Sequence, residues 1–279
     1  MNVNNKYAVI IKSVSPLRNT PSEDGERLDE VLFGMGINII STENNGWYYV
    51  KTDYDYEGYI NEKDIIFMTK DVFDQWIHKA SFYVVQSLAD ILEKPMYNSP
   101  IIQTVTRGAF IIYSGENNED WSKVFLPDGQ SGWINKTFIK KHKKYHLKEE
   151  LKLEEEVIRK NLVKTAKLYL NIQYRWGGKS TLGIDCSGLC SIAYLINGLI
   201  IYRDAVFMDK YMKKISIEKI KPGDLLFFPG HVAMYIGKNK YIHSNSKSQV
   251  VAINSLDEND DDYRNDLAKS IIAVGSIFE

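Results

Sequence analysis

The chain has 279 residues, room for about two domains of ordinary size, and its 44% hydrophobic and 25% charged side chains exclude an extended disordered chain. Thirty-five basic against 36 acidic residues leave a formal charge of −1, which removes the bulk electrostatic case for a nucleic-acid partner. No apolar run approaches the roughly 18 residues of a membrane span, and only two cysteines, Cys186 and Cys190, are present, which excludes a disulfide-stapled scaffold and a four-cysteine zinc site.

The first half reads as short strands. Tyr7-Ala8-Val9-Ile10-Ile11, Gly36-Ile37-Asn38-Ile39-Ile40 and Trp47-Tyr48-Tyr49-Val50 are β-branched and aromatic runs, separated by turn residues such as Glu23-Asp24-Gly25 and Asn44-Asn45-Gly46. This half also repeats itself. Trp47 precedes Gly58 by eleven residues, as Trp121 precedes Gly132; Gly58-Tyr59-Ile60-Asn61 answers Gly132-Trp133-Ile134-Asn135, and Ile65 answers Ile139. Gly36 pairs with Gly108 in this reading, and Leu17-Arg18 before Pro21 with Ile91-Leu92 before Pro95. Two such copies resemble tandem bacterial SH3-like barrels. The aromatic surplus of 18 Tyr and 5 Trp then divides between duplicated cores and a peptide groove, with core the simpler role for Trp47 and Trp121. Residues 69–81 between the copies read as a short helix or an ordered linker. Lys140-Lys141-His142-Lys143-Lys144 after the second copy reads as a solvated connector that also takes in His146.

From Glu149 to Leu170 there is no Gly or Pro, and Ile158, Leu162, Ala166 and Leu170 recur at helical spacing, which predicts one amphipathic helix opening a third domain. Gly183-Ile184-Asp185-Cys186-Ser187-Gly188 then runs into the apolar helical stretch Leu189 to Ile196. A cysteine at a helix start lies at the positive end of the dipole, which favours thiolate, and Asp185 stands where a cap belongs. On this window alone Cys186 is either a nucleophile or a small buried hydrophobe. Among the five histidines, His78, His142 and His146 fall in connecting segments. His231 opens the strand Val232-Ala233-Met234-Tyr235-Ile236 directly after a Pro-Gly turn, and His243 lies in the next strand, past a turn at Gly237-Lys238-Asn239. Adjacent antiparallel strands bring two such rings together, one as base and one as its orienter.

Asp185-Cys186-Ser187-Gly188, with Tyr174-x-Trp176-Gly177-Gly178 before it and Pro222-Gly223-Asp224-Leu225-x-Phe227-Phe228 and Gly230-His231-Val232 after it, resembles the NlpC-type papain-like cysteine peptidases of bacterial cell-wall peptides. With the two barrels in front, the whole chain is similar to γ-D-glutamyl-L-diamino acid endopeptidases. The resemblance implies an α+β protein: a first SH3-like barrel over 1–70, a linker over 71–82, a second barrel over 83–142, and over 143–279 a catalytic domain of helices packed on an antiparallel sheet. It also implies catalytic roles for Cys186, His231 and His243, an oxyanion contact from Tyr174, and a substrate pocket lined by Asp185, Ser187, Arg203 and Asp204. Ala205 and Met208 stand where relatives carry a small hydroxyl residue and a glutamine, so a substrate hydrogen bond is expected to be missing there. Glu57, beside Asp55, Tyr54 and Tyr56, is either the carboxylate that meets a free L-Ala amine or part of an acidic surface loop.

The substrate expected is a small murein peptide carrying L-Ala-γ-D-Glu-diamino acid, cleaved by a monomer without cofactor or metal. Alternatives are an autolysin or amidase acting on polymeric wall, and a wall-peptide-binding protein with an inactive core. Asp257-Glu258-Asn259-Asp260-Asp261-Asp262 lacks a calcium-loop pattern and reads as a solvated acidic loop, and Cys190 as packing. Met1 to Lys6 carries no secretory signal as written, so a cytoplasmic location is expected unless the chain has been trimmed. A thiolate–imidazolium pair predicts activity that rises and falls between roughly pH 5 and 9.

Overall fold

The computed structural model describes residues 6–145 and 148–279. His146 and the first five residues, which bear on the connector and the signal, lie outside them. The architecture is α+β, in two compact units, Met1–His142 and Lys143–Glu279.

The first unit holds two seven-stranded antiparallel sheets with the same strand order. Tyr7–Ile10, Gly36–Thr42 and Trp47–Thr52 in the first answer Phe82–Val84, Phe110–Asn118 and Trp121–Phe125 in the second. A constant offset of 74 residues relates Trp47 to Trp121, Gly58 to Gly132 and Ile65 to Ile139. The same offset corrects one pairing made on sequence: Gly108 answers Gly34, not Gly36. Gly34 and Gly108 both have positive φ, and their amides bond the carbonyls of Ile10 and Val84, at 2.9 Å each. The Gly36 pairing follows the similar apolar runs, but the equivalent turn falls two residues earlier. Asn61 and Asn135 end the repeat alike, each side chain accepting the amide two residues on, at 3.1 and 3.0 Å. Trp47 and Trp121 are buried in the barrels, which answers the core-or-groove question for both.

Residues assigned as a linker, 71–82, carry most of the helix Lys70–Lys79. Asp71 in its first turn and His78 and Lys79 in its last complement the helix dipole. Its Trp76 is buried with Val9, Met68 and Ala80, against which Phe73, Ile77, Phe110 and Ile112 pack, and Trp76 Nε1 donates to the Gly34 carbonyl at 2.8 Å. The helix therefore packs against both barrels. Phe33 of the first copy lies in the core of the second, and a Cβ on Gly34 would overlap the Phe110 carbonyl. The basic run is not wholly a solvated connector: His142 is buried edge-on to Phe110 at 5.0 Å, and its amide donates to the Ser81 carbonyl.

The second unit is built on a six-stranded antiparallel sheet of Lys213–Ile215, Ala273–Ser276, Leu225–Phe228, His231–Gly237, Lys240–Ser244 and Val251–Ser255, in that spatial order. The single helix expected over 149–170 is two, Lys148–Leu153 and Glu155–Lys167. Glu154 between them has φ −112° and ψ 11°, and its carboxylate holds Lys143 and accepts from the Tyr145 hydroxyl at 2.8 Å. Ile158, Leu162 and Ala166 are buried as their spacing requires, on a helix that packs against Cys186–Ile196 and the strand His231–Gly237. Arg159 anchors it, meeting the buried Asp224 carboxylate at 2.8 Å and the Pro222 carbonyl at 2.9 Å. Tyr194 Oη donates to the Gly223 carbonyl at 2.5 Å, so both helices are tied to the Pro-Gly-Asp turn that feeds the central strand.

Candidate active site

Cys186 is the first residue of the helix Cys186–Ile196, and Asp185 is its N-cap, with Oδ1 accepting the Gly188 amide at 2.5 Å. Gly188 permits this start to pack tightly, because a Cβ there would overlap the Gly178 carbonyl oxygen. That carbonyl also accepts the Asp185 amide at 3.1 Å, which gives the Gly177-Gly178 pair of the sequence a local structural reason.

Arg203 is fully buried next to this start. Its guanidinium reaches both Asp185 oxygens at 3.2 Å and Ser187 Oγ at 2.7 Å. Three residues expected to line a substrate pocket are thus bonded to one another: Arg203 holds the cap and Ser187 in place. Asp204 is half-buried and, with Ser187, Tyr202, Val206 and Met208, lines a shallow cleft that Cys190 and Val232 also border. Cys190 is buried, as packing requires. Trp176, by contrast, is 62% exposed.

The histidines meet as their strands predict. Met234 pairs with Ile242 and Tyr235 with Tyr241. Extending that register sets His243 opposite Ala233, two residues from His231 on the same face. The small Ala233 side chain leaves His231 room to reach diagonally, and its Nε2 lies 2.7 Å from His243 Nδ1. His231 Nδ1 is the ring nitrogen that His243 does not engage. The backbone amide of Val232, the residue after His231, lies near enough to the Cys186 sulfur to favour its charged form.

Burial sets the protonation states. It pushes the Cys186 thiol up to about 11, reinforced by the Asp185 charge and opposed by the Val232 amide, Arg203 and the Ser187 amide. Burial also holds His231 and His243 well below the ordinary histidine value, and for His231 the neighbouring His243 adds to this. Burial thus works against the thiolate that the helix start favours, and toward a neutral imidazole. The half-buried Tyr174 phenol is pushed up to about 12, first by burial and then by Cys186 and Asp185, so it stays a hydrogen-bond donor.

Two residues at this site were not singled out from sequence: Asn254, whose Oδ1 is 2.9 Å from His243 Nε2, and Asn245, whose Nδ2 is 3.2 Å from the same atom. An asparagine inside the β-rich run Val251-Ala252-Ile253-Asn254-Ser255, where Asn is depleted, was the available signal. Glu57 belongs to the other unit. It is exposed, accepts from Tyr49 Oη at 3.2 Å and lies 3.8 Å from Lys51, which also pairs with Asp55 at 3.1 Å. In the acidic loop Lys240 Nζ sits 2.7 Å from Asp260 and 2.6 Å from Asp262, so a lysine supplies the positive charge there. Among the described residues no cluster of three or more His, Cys, Asp or Glu is arranged to hold a metal ion, and no helix is long and apolar enough to cross a membrane.

The NlpC/P60 family profile matches residues 171–266, which span Tyr174, Cys186, His231 and His243. Dipeptidyl-peptidase 6 of Lysinibacillus sphaericus is 42% identical over 276 residues, covering 97% of this chain and 99% of that protein. The chain belongs to the NlpC/P60 family. It is an NlpC/P60 peptidase of the cysteine class, preceded by a bacterial dipeptidyl-peptidase SH3 domain matched over 17–65 and a bacterial SH3 domain matched over 87–140. A γ-D-glutamyl-L-lysine dipeptidyl-peptidase of Bacillus subtilis is 35% identical over 106 residues, covering 35% of this NlpC/P60 peptidase and 36% of that protein. The crystal structure of an NlpC/P60 family protein from Bacillus cereus has the same fold, at a TM-score of 0.78 and 20% identity over 98% of this chain and all of that one.

Proposed function

We propose that this peptidase hydrolyses the γ-D-Glu–diamino acid bond, to meso-diaminopimelate or lysine, of murein-derived peptides with a free N-terminal L-Ala. The observation that carries the chemistry is the 2.7 Å contact of His231 and His243 beside a cysteine at a capped helix start. The bond specificity is supported by the name of the Bacillus subtilis relative, a γ-D-glutamyl-L-lysine dipeptidyl-peptidase.

Cys186 Sγ attacks the γ-carbonyl carbon while its proton passes to His231 Nδ1, a transfer that a neutral imidazole is ready to accept. The oxyanion that forms is met by the Cys186 amide at the helix start and by the Tyr174 hydroxyl. His231 then gives its proton to the departing amine as the C–N bond breaks. Water, deprotonated by the same imidazole, hydrolyses the thioester and releases the dipeptide. His243 orients His231 throughout, and the cleft lined by Asp204 and Met208 receives part of the peptide.

The test is cleavage of L-Ala-γ-D-Glu-meso-diaminopimelate and of its lysine counterpart, followed by mass spectrometry, with Cys186→Ala as control. Release of L-Ala-D-Glu by the native protein alone is expected. Equal rates for both proteins would overturn the assignment. Equal cleavage of the N-acetylated peptide, or release of material from intact sacculi, would instead favour an autolysin.

A further inference from the structure

His243 has two possible partners at one nitrogen, and they demand opposite protonation. Asn254 offers Oδ1 to Nε2 at 2.9 Å, and its amide can face no other way, because its Nδ2 donates to the Asp262 carbonyl at 2.8 Å. Asn245 offers a donor, Nδ2, to the same Nε2 at 3.2 Å, and it too is fixed, since its Oδ1 accepts the Ser248 amide at 2.8 Å. A neutral imidazole carries one proton. If Asn254 prevails, His243 is protonated at Nε2 and its bare Nδ1 accepts from His231 Nε2–H. His231 Nδ1 is then a lone pair, free to take the thiol proton. If Asn245 prevails, every proton in the chain moves one place. His243 donates from Nδ1, His231 Nε2 is bare, and His231 Nδ1 already carries the proton it should accept. His243 is fully buried, so water offers no third partner. The Asn254 contact is the shorter of the two.

We propose that Asn254 is a positioning residue which, through His243, selects the His231 tautomer that can act as base. The inference rests on the reading of Cys186 and His231 as nucleophile and base. It also gives the acidic loop a use. Lys240 clamps Asp260 and Asp262, Ser255 Oγ donates to Asp260 at 2.6 Å, and the Ser255 amide donates to the Asp262 carbonyl at 3.1 Å. That carbonyl is thereby fixed where it sets the Asn254 amide.

Long-range 15N–1H spectra of histidine-labelled protein at neutral pH read each tautomer directly, without substrate. The native protein is expected to show His231 protonated at Nε2, and Asn254→Asp, which keeps an acceptor, to preserve it. Asn254→Leu is expected to move the His231 proton to Nδ1 and to lower kcat at least about 10-fold, the low end for loss of an outer-shell orienting bond, with KM little changed. The added charge in Asn254→Asp should also move the acid limb of its pH profile upward. A native His231 protonated at Nδ1, or an Asn254→Leu protein with native tautomers and native kcat, would overturn the proposal. If Asn254→Leu does not fold, the native and Asn254→Asp spectra still decide it. A native protein with the expected tautomers but no turnover of either tripeptide would overturn the proposed substrate and leave the tautomer assignment standing.

Discussion

At the cysteine end of the site Arg203 meets both oxygens of Asp185 at 3.2 Å, so an ion pair is buried there. At the base end, His231, His243 and Asn254 are joined at 2.7 and 2.9 Å by groups that all stay neutral. The difference follows from what each end does. The helix start has only to hold still, and a compensated ion pair is rigid in a low-dielectric interior. In the proposed reaction the imidazole accepts a proton, and the neutral Asn254 amide orients His243 without adding a charge beside the pair.

The sharpest break in this comparison is Arg203→Met. It strands the Asp185 carboxylate and should cost about 3–5 kcal/mol of stability, read from urea unfolding; a cost below about 1 kcal/mol would mean that the charges do not hold the helix start. His231→Ala should lower kcat by about 10²–10⁴-fold while shifting the unfolding midpoint far less than Arg203→Met does.

The neutral end makes its own prediction about pH. Burial lowers both histidines below the unfolded value of about 6.5. Below that value the unfolded chain binds the extra protons. Stability from the pair is therefore complete above about pH 6.5 and falls as the pH drops toward the native values. The urea midpoint should decline between pH 7 and 5.5, and less steeply in His243→Gln; parallel declines would refute a buried neutral pair. By the same sign the acid limb of kcat/KM should lie below about pH 6.5, the ordinary histidine value. The smallest effect expected is for Ser187→Ala, which removes one acceptor from Arg203 and should cost about 1–2 kcal/mol, with activity surviving if Arg203 and Asp185 remain paired.

Much of the site was legible because its chemistry is local in the chain. Cys186 stands behind a capping aspartate, and His231 and His243 lie in consecutive strands joined by a tight turn, so the strand period alone brings the rings to one face. The SH3-like copies were legible from Trp47, Trp121 and the Gly-aromatic-Ile-Asn endings. The Gly34 equivalence was not, because it rests on a backbone turn and not on side-chain likeness. His142 was misplaced because a charged run in sequence does not reveal a burying neighbour such as Phe110.

The sequence by itself therefore determined the elements and the residue types: a repeated barrel, a helix beginning at Cys186, a strand beginning at His231. Which groups share a proton or a charge was left to the tertiary structure. Arg203 and Asp185 are eighteen residues apart in the chain, and His243 and Asn254 eleven. No periodicity encodes such pairings, since they arise only when separate elements pack and exclude water. Burial, too, came only with packing: it pushes the Cys186 thiol upward, against what the helix start favours, because removing the sulfur from solvent penalises its charged form.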